Sequence, residues 1–142
     1  MTDIEVREPA AGAETRAAYP VMRQLRPHLA EDGFVEAVGR MRGEGYRLAA
    51  AYRDGRPVGA AGFRVQEYLA HGKHLYVDDL VTSDDARSDG VGEAMLKWLE
   101  AEARRVGCKS LQLDSGVGRR DAHRFYFRER LTIASYHFTK EL

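Results

Sequence analysis

His74-Leu75-Tyr76-Val77-Asp78-Asp79-Leu80-Val81-Thr82 runs into Ser83-Asp84-Asp85-Ala86-Arg87-Ser88-Asp89 and then into Gly90-Val91-Gly92-Glu93. The first segment reads as a strand, the second as a polar loop, and residues 90–106 as a long helix. Two glycines at a strand-to-helix turn let backbone N–H groups approach a bulky anion. The start of a helix adds unpaired N–H donors and the positive end of its dipole. The turn therefore predicts a phosphate or pyrophosphate site.

The type of anion site narrows by elimination. A Walker-type phosphate loop needs Lys and Ser or Thr after its last glycine, and this chain has neither there. A dinucleotide fingerprint needs a third small residue three places after Gly92, where Met95 stands. What remains is Arg87-x-x-Gly90-x-Gly92. This signature follows the strand Leu75–Val81. It precedes a second strand, Leu111-Gln112-Leu113-Asp114, and then Ala122-His123-Arg124-Phe125-Tyr126. In this order and spacing the set resembles the GNAT superfamily of acetyl-CoA-dependent N-acetyltransferases. The resemblance covers residues 45–138 well and the first 44 loosely.

Bulk properties agree with a single small domain. The 142 residues suit a single domain, residues 1–142, with one core. Lys plus Arg and Asp plus Glu are both 22, giving a net charge of +0. That argues against a nucleic-acid binder, which needs a basic face. Cys108 is the single cysteine, so no intrachain disulfide forms, and a reducing compartment is the simplest setting. No N-terminal apolar run reads as a signal peptide, and no stretch approaches the roughly 20 apolar residues that span a bilayer. The expected location is the cytoplasm, with no membrane partner. No His or Cys pair has metal-ligand spacing, so no metal is expected.

Outward from the central stretch, Ile4 and Val6 mark a short first strand. Residues 14–25 read as a helix broken by Pro20 and closed by Pro27. Residues 31–41 form a second helix, with Phe34, Val35, Val38 and Met41 on one side. Residues 46–52 and 58–65 are apolar runs flanking Asp54-Gly55, a strong hairpin signal. Residues 66–73 read as a link to the next strand. The main helix carries Met95, Leu96, Leu99, Ala103 and Val106 on the stripe facing the sheet, and Gly107 stops it. Residues 109–114 form a strand parallel to the first through a βαβ crossover. Asp121 is placed to cap a helix over residues 122–130. Residues 131–142 read as a closing strand or hairpin. The resemblance implies a three-layer α/β/α domain: a mixed, splayed sheet of about six to seven strands with about four helices.

N-acetyl transfer from a thioester requires a held cofactor, a neutral amine, a polarised carbonyl and a proton for the departing thiolate. By resemblance, the backbone of Ser88, Asp89, Gly90, Val91, Gly92 and Glu93 cradles the pyrophosphate of acetyl-CoA, with Arg87 adding charge. The acyl-pantetheine arm pairs with the backbone near Leu80 and Val81. Asp121 and Phe125 stand on the cofactor side, and Tyr126 is the proton donor. Many family members carry a basic or neutral residue where Asp89 stands, and Asn where Asp121 stands. A carboxylate at position 89 points to solvent or caps the helix.

Asp78 and Asp79 are the candidate general bases. Adjacent strand residues leave opposite faces, and pleat counting from Val77 and Leu80 favours Asp79. An alkylamine has a pKa near 10.4 and arrives protonated, and a carboxylate can bind it and accept its proton through water; the alternative is an acid that caps a loop or pairs with an arginine. His71, His74 and His123 are secondary candidates for lining the site. The leading expectation is an N-acetyltransferase acting on a primary amine of a small molecule or peptide. The alternative is a non-catalytic acyl-CoA sensor on the same fold. Assembly as a homodimer is a further expectation from the resemblance.

Overall fold

Asp54 and Gly55 both take positive φ, 53° and 76°, which makes a tight turn. Such a turn matches the twist of the strands it joins. The strands on either side are the centre of the sheet. The computed structural model describes residues 3–142. Its order is β1 (Glu5–Arg7), α1 (Ala13–Ala17), α2 (Tyr19–Leu25), α3 (Glu31–Arg42), β2 (Arg47–Arg53), β3 (Arg56–Tyr68), β4 (Gly72–Thr82), a 3-10 turn over Asp84–Ala86, α4 (Val91–Arg105), β5 (Ser110–Leu113) and α5 (Arg120–Arg128). The strands form one mixed sheet in the order β1-β2-β3-β4-β5. Among the described residues the count is five strands and five α-helices, against the expected six to seven and four.

The described contacts group into two compact units, Met1–Gln112 and Leu113–Leu142. In the first unit the register of β2 on β3 sorts the side chains by face. Leu48 pairs with Gly62 and Ala50 with Ala60, while Ala49 pairs with Ala61 and Ala51 with Gly59. Leu48 and Ala60 pack with Ala18, Val21 and Met22 of the α1–α2 region and with Phe34 and Val38 of α3. The other face takes α4. A Cβ built on Gly59 would lie 2.7 Å from the Met95 and Val91 side chains, so the glycine lets α4 seat on the sheet. Trp98 meets Phe63 edge-on at 5.8 Å. Helices thus cover the sheet from both sides, as expected of an α/β/α arrangement.

Several local expectations are corrected. The link expected over residues 66–73 is shorter: β3 runs to Tyr68 and β4 starts at Gly72, with Val65 paired to Leu75 and Tyr68 to Gly72, and only residues 69–71 turn between them. Cross-strand pairing carried the polar ends of these strands where apolar periodicity alone did not. Asp121 is not the cap of α5. The cap position is Arg119, with no side-chain hydrogen bond, and the Asp121 carboxylate lies 3.4 Å from Arg124. Residues 131–142 form no strand. The α1–α2 break falls at Ala18, with Pro20 in the first turn of α2, where its missing N–H costs nothing.

Candidate active site on the fourth strand and the turn after it

A bulge in β4 sets the geometry of the two acids. Gly62 pairs with Asp79 and Phe63 with Val77, so Asp78 is an extra residue with no partner on β3. A bulge breaks the alternation of faces and re-aims the local side chains. Asp78 and Asp79 therefore do not diverge as pleating predicts; both enter one charged cluster. The Arg64 Nε donates to Asp78 Oδ2 at 2.9 Å, and its guanidinium lies 5.3 Å from the centre of the Tyr46 ring. The Tyr46 hydroxyl donates to Asp79 Oδ2 at 2.8 Å, and Arg26 Nε donates to Asp79 Oδ1 at 3.0 Å. Arg26 Nη2 also donates to the Asp78 carbonyl at 3.1 Å, which ties the segment after α2 to the bulge. Gly62 makes this possible: a Cβ there would sit 1.8 Å from the Tyr46 hydroxyl and 2.5 Å from Asp79 Oδ2.

The two acids differ in what is left open. Both Asp79 oxygens are bonded. Asp78 has one oxygen on Arg64, while its Oδ1 is buried without a hydrogen bond. Burial holds the Asp78 carboxyl above the ordinary carboxylate range, with Arg64 pulling against it. Burial, then the charges of Asp79 and Asp78, push the Tyr46 phenol far above its usual value, so it stays a donor.

Beyond the bulge, Leu80 and Val81 pair with Ala61 and Ala60 of β3. On their other side β5 does not reach them. The Lys109 N–H donates to the Lys73 carbonyl at 2.8 Å, and β5 spans only Ser110–Leu113. In either direction a four-residue strand starting beside Lys73 ends before Leu80. Among the described residues, no strand of the sheet pairs with Leu80 and Val81 on this side.

The turn after β4 is shaped by left-handed residues. Ser88 has φ 69°, and Gly90, the cap residue of α4, has φ 83°. The first bond closing α4 runs from the Ala94 N–H to the Gly90 carbonyl at 3.0 Å. The N–H groups of Val91, Gly92 and Glu93 are left at the open helix end. Arg87 is exposed and lies 3.0 Å from Asp84. Asp89 neither caps the helix nor faces solvent alone: its carboxylate lies 2.6 Å from Arg53. Asp85 is bonded by Ser83 at 2.7 Å and by Arg56 at 3.1 Å. The acids of the turn are thus each matched by an arginine, which limits their repulsion toward a bound anion.

In the C-terminal unit, Tyr126 is buried on α5 beside Phe125, with ring centres 5.6 Å apart. Burial raises its phenol above the ordinary value, while Arg119 pulls it down. His123 Nε2 lies 2.8 Å from the Gly116 carbonyl. In the first unit His74 is fully buried, with Nδ1 3.0 Å from the Gly72 carbonyl, and His71 is exposed. Sequence reasoning missed Tyr46, Arg26 and Arg64 as parts of the site. The available signal was the pair of acids in an apolar strand, which demands cationic partners.

The match to a family model settles the class. The model of the acetyltransferase (GNAT) family matches residues 12–131. This chain belongs to the GNAT acetyltransferase family. An uncharacterized N-acetyltransferase of Bacillus subtilis is 32% identical over 139 residues, covering 96% of this chain and 98% of that protein. The aminoalkylphosphonate N-acetyltransferase of Salmonella typhimurium is 38% identical over 98 residues, covering 68% of this chain and 62% of that protein. An aminoglycoside N-acetyltransferase solved in complex with CoA shares the fold at a TM-score of 0.85 and 12% identity, covering 100% of this chain and 96% of that one. Among the described residues, no helix of this GNAT protein is long and apolar enough to cross a membrane.

Proposed function

We propose that this GNAT protein moves an acetyl group from acetyl-CoA to the primary amine of a small acceptor by direct attack, and that residues 1–142 act as one catalytic domain. The observation that carries the reading is the open edge of β4 at Leu80 and Val81. It follows a buried, incompletely bonded carboxylate at Asp78 and leads into an N–H-rich turn at residues 88–93. These features fit the cosubstrate. The Leu80 and Val81 backbone would pair with its pantetheine arm, and the turn with Arg87 would hold its pyrophosphate. Asp121 and Phe125 are proposed on the cofactor side. Acetyl-CoA supplies the activated thioester carbonyl.

The chain's own groups divide the proton work. Asp78 is the better base than Asp79, because its Oδ1 is unbonded and its raised proton affinity suits proton acceptance. Asp79 keeps the bulge in place through Tyr46 and Arg26. The amine nitrogen bonds to the carbonyl carbon as its proton passes to Asp78 through water, and the carbon–sulfur bond breaks. Tyr126, protonated because it is buried, gives its phenolic proton to the departing sulfur. The Salmonella relative is named for aminoalkylphosphonates, so small amines of that kind head the acceptor panel, followed by amino acids, aminoglycosides and peptide N-termini.

The test is amine-dependent release of free thiol from acetyl-CoA. Wild type releases thiol with at least one amine, and Asp78→Asn lowers kcat by about 10²–10⁴. Thermal stabilisation by acetyl-CoA with no turnover on any amine would instead favour the sensor reading.

A further inference from the structure

The corner between β4 and α4 is tied to two different parts of the fold. One set of ties comes from the β2–β3 hairpin. The Val58 carbonyl accepts the Ser83 N–H at 2.8 Å, Arg56 lies 3.1 Å from Asp85, and Arg53 lies 2.6 Å from Asp89. Each of these ion pairs has an exposed partner, so neither holds the corner firmly. The other tie comes from α2. Gln24 Oε1 accepts the Asp84 N–H at 2.8 Å, and Gln24 Nε2 donates to the Ser83 hydroxyl at 3.3 Å. One neutral amide thus grips two successive residues, 59 and 60 positions along the chain.

The Asp84 N–H needs this partner. It opens the 3-10 turn Asp84–Ala86, whose cap residue, Ser83, makes no side-chain cap bond. The Ser83 hydroxyl donates to Asp85 Oδ1 instead, at 2.7 Å. The first N–H groups of a helical turn find no acceptor within the turn. From Asp84 the order passes to Gly90 in short steps. The Ala86 N–H donates to the Ser83 carbonyl at 2.9 Å, and the Asp89 N–H to the Ala86 carbonyl at 3.3 Å. Asp84 Oδ1 lies 3.0 Å from Arg87 Nη2, and Ala86 is fully buried. Gly90, the cap residue of α4, follows directly.

We propose that Gln24 is a positioning residue for the cofactor turn. It holds Ser83 and Asp84 so that Arg87 and the N–H groups of residues 91–93 stay aimed at the pyrophosphate of acetyl-CoA. The inference rests on the acetyl-CoA site proposed above. Two residues on, Arg26 holds the bulge at Asp78 and Asp79. The end of α2 is therefore a common mount for the turn that takes the cofactor and the bulge that carries the base. Without Gln24 the turn keeps its hairpin ties but spends part of its time out of register, and apparent affinity falls with the competent fraction.

Calorimetry with CoA and steady-state kinetics with acetyl-CoA on the full chain test it. Gln24 is exposed, so Gln24→Met deletes both bonds without opening a cavity. It should raise the Kd of CoA and the KM of acetyl-CoA together, by about three- to tenfold for one net hydrogen bond, with kcat held within about twofold. Asp84→Pro removes the same N–H from the other side, at the first position of a turn, where proline fits. In that background Gln24→Met should cost clearly less than in wild type. Exchange of the Asp84 amide, read without cofactor, should be faster in Gln24→Met. A wild type that binds CoA while Gln24→Met binds it equally well overturns the inference and leaves the acetyl-CoA site standing. A fall in kcat with KM unchanged, an equal effect in both backgrounds, or unchanged exchange at Asp84 overturns it too. A wild type that binds no CoA overturns the site and the inference with it.

Discussion

Replacing Tyr46 by Phe isolates one bond of the acid cluster. The ring stays, buried and only 3% exposed, so packing is nearly unchanged. What goes is the hydroxyl that donates to Asp79 Oδ2 at 2.8 Å. Hydrogen bonds to charged groups contribute about 1.5–3 kcal/mol. Asp79 keeps Arg26, and its side chain is 15% exposed, so some water reaches it and the expected cost is the lower part of that range, about 2 kcal/mol. Unfolding entropy near 2.1 cal/mol/K per residue, over 142 residues, gives about 0.3 kcal/mol/K, so the midpoint should fall by about 7 °C. The assay is thermal unfolding of Tyr46→Phe, Asp79→Asn and the double variant. The two single effects should be non-additive by about 1–2 kcal/mol. A fall under 2 °C for Tyr46→Phe, or strict additivity, would refute the claim that this bond holds the bulge.

Further outcomes follow from the same geometry. Gly62→Ala puts a methyl group 1.8 Å from the Tyr46 hydroxyl, 2.4 Å from its ring Cζ and 2.5 Å from Asp79 Oδ2, and should cost about 1–3 kcal/mol in wild type and remain destabilising in Tyr46→Phe, measured by urea unfolding. Asp78 has its proton affinity raised by burial, so its basic form is lost as pH falls through a value above the ordinary carboxylate range. The acid limb of the pH–rate profile should lie correspondingly high and disappear in Asp78→Asn, while Asp79→Asn should retain it. Tyr126→Phe should lower kcat by about 10²–10⁴ while leaving the acetyl-CoA dissociation constant within a few-fold, read by stopped-flow and calorimetry. The carboxyl of Glu102 is held down to about 2, first by Arg105 and then by Arg47. Its ion pairs therefore add stability above the ordinary 4.5 that is lost as pH falls toward about 2. The shift corresponds to at most about 3 kcal/mol, and with Arg105 two-thirds exposed, screening reduces it to about 1–2. Glu102→Gln should remove that much at neutral pH and flatten the acid loss, seen in unfolding curves at stepped pH.

The helices and central strands were legible because their signals are local. Asp54-Gly55 between apolar runs announced the hairpin, and the stripe from Met95 to Ala103 announced the helix on the sheet. The turn at Gly90 and Gly92 was legible too, since glycine and a helix start leave a short-range mark. The acid cluster was not. Its geometry depends on the pairing that skips Asp78, and a one-residue bulge is set by register with β3, which no local pattern around Asp78 encodes. Arg26 and Arg64 carry no local signal of a role because their partners lie 53 and 14 residues away. The strand expected over residues 131–142 had the right residue types, but composition does not say which edge a strand joins.

The central claim is that the open edge of β4 and the turn at residues 87–93 form an acetyl-CoA site. Unfolding with and without acetyl-CoA, CoA, ATP and NAD tests it most directly. At about 100 times the dissociation constant, acetyl-CoA and CoA should each add about 2.7 kcal/mol, or about 9 °C on the scale above. Glycine-to-Asp changes at Gly90 or Gly92 should abolish that gain. No shift with either thioester or CoA, or a shift with ATP or NAD alone, would contradict the account.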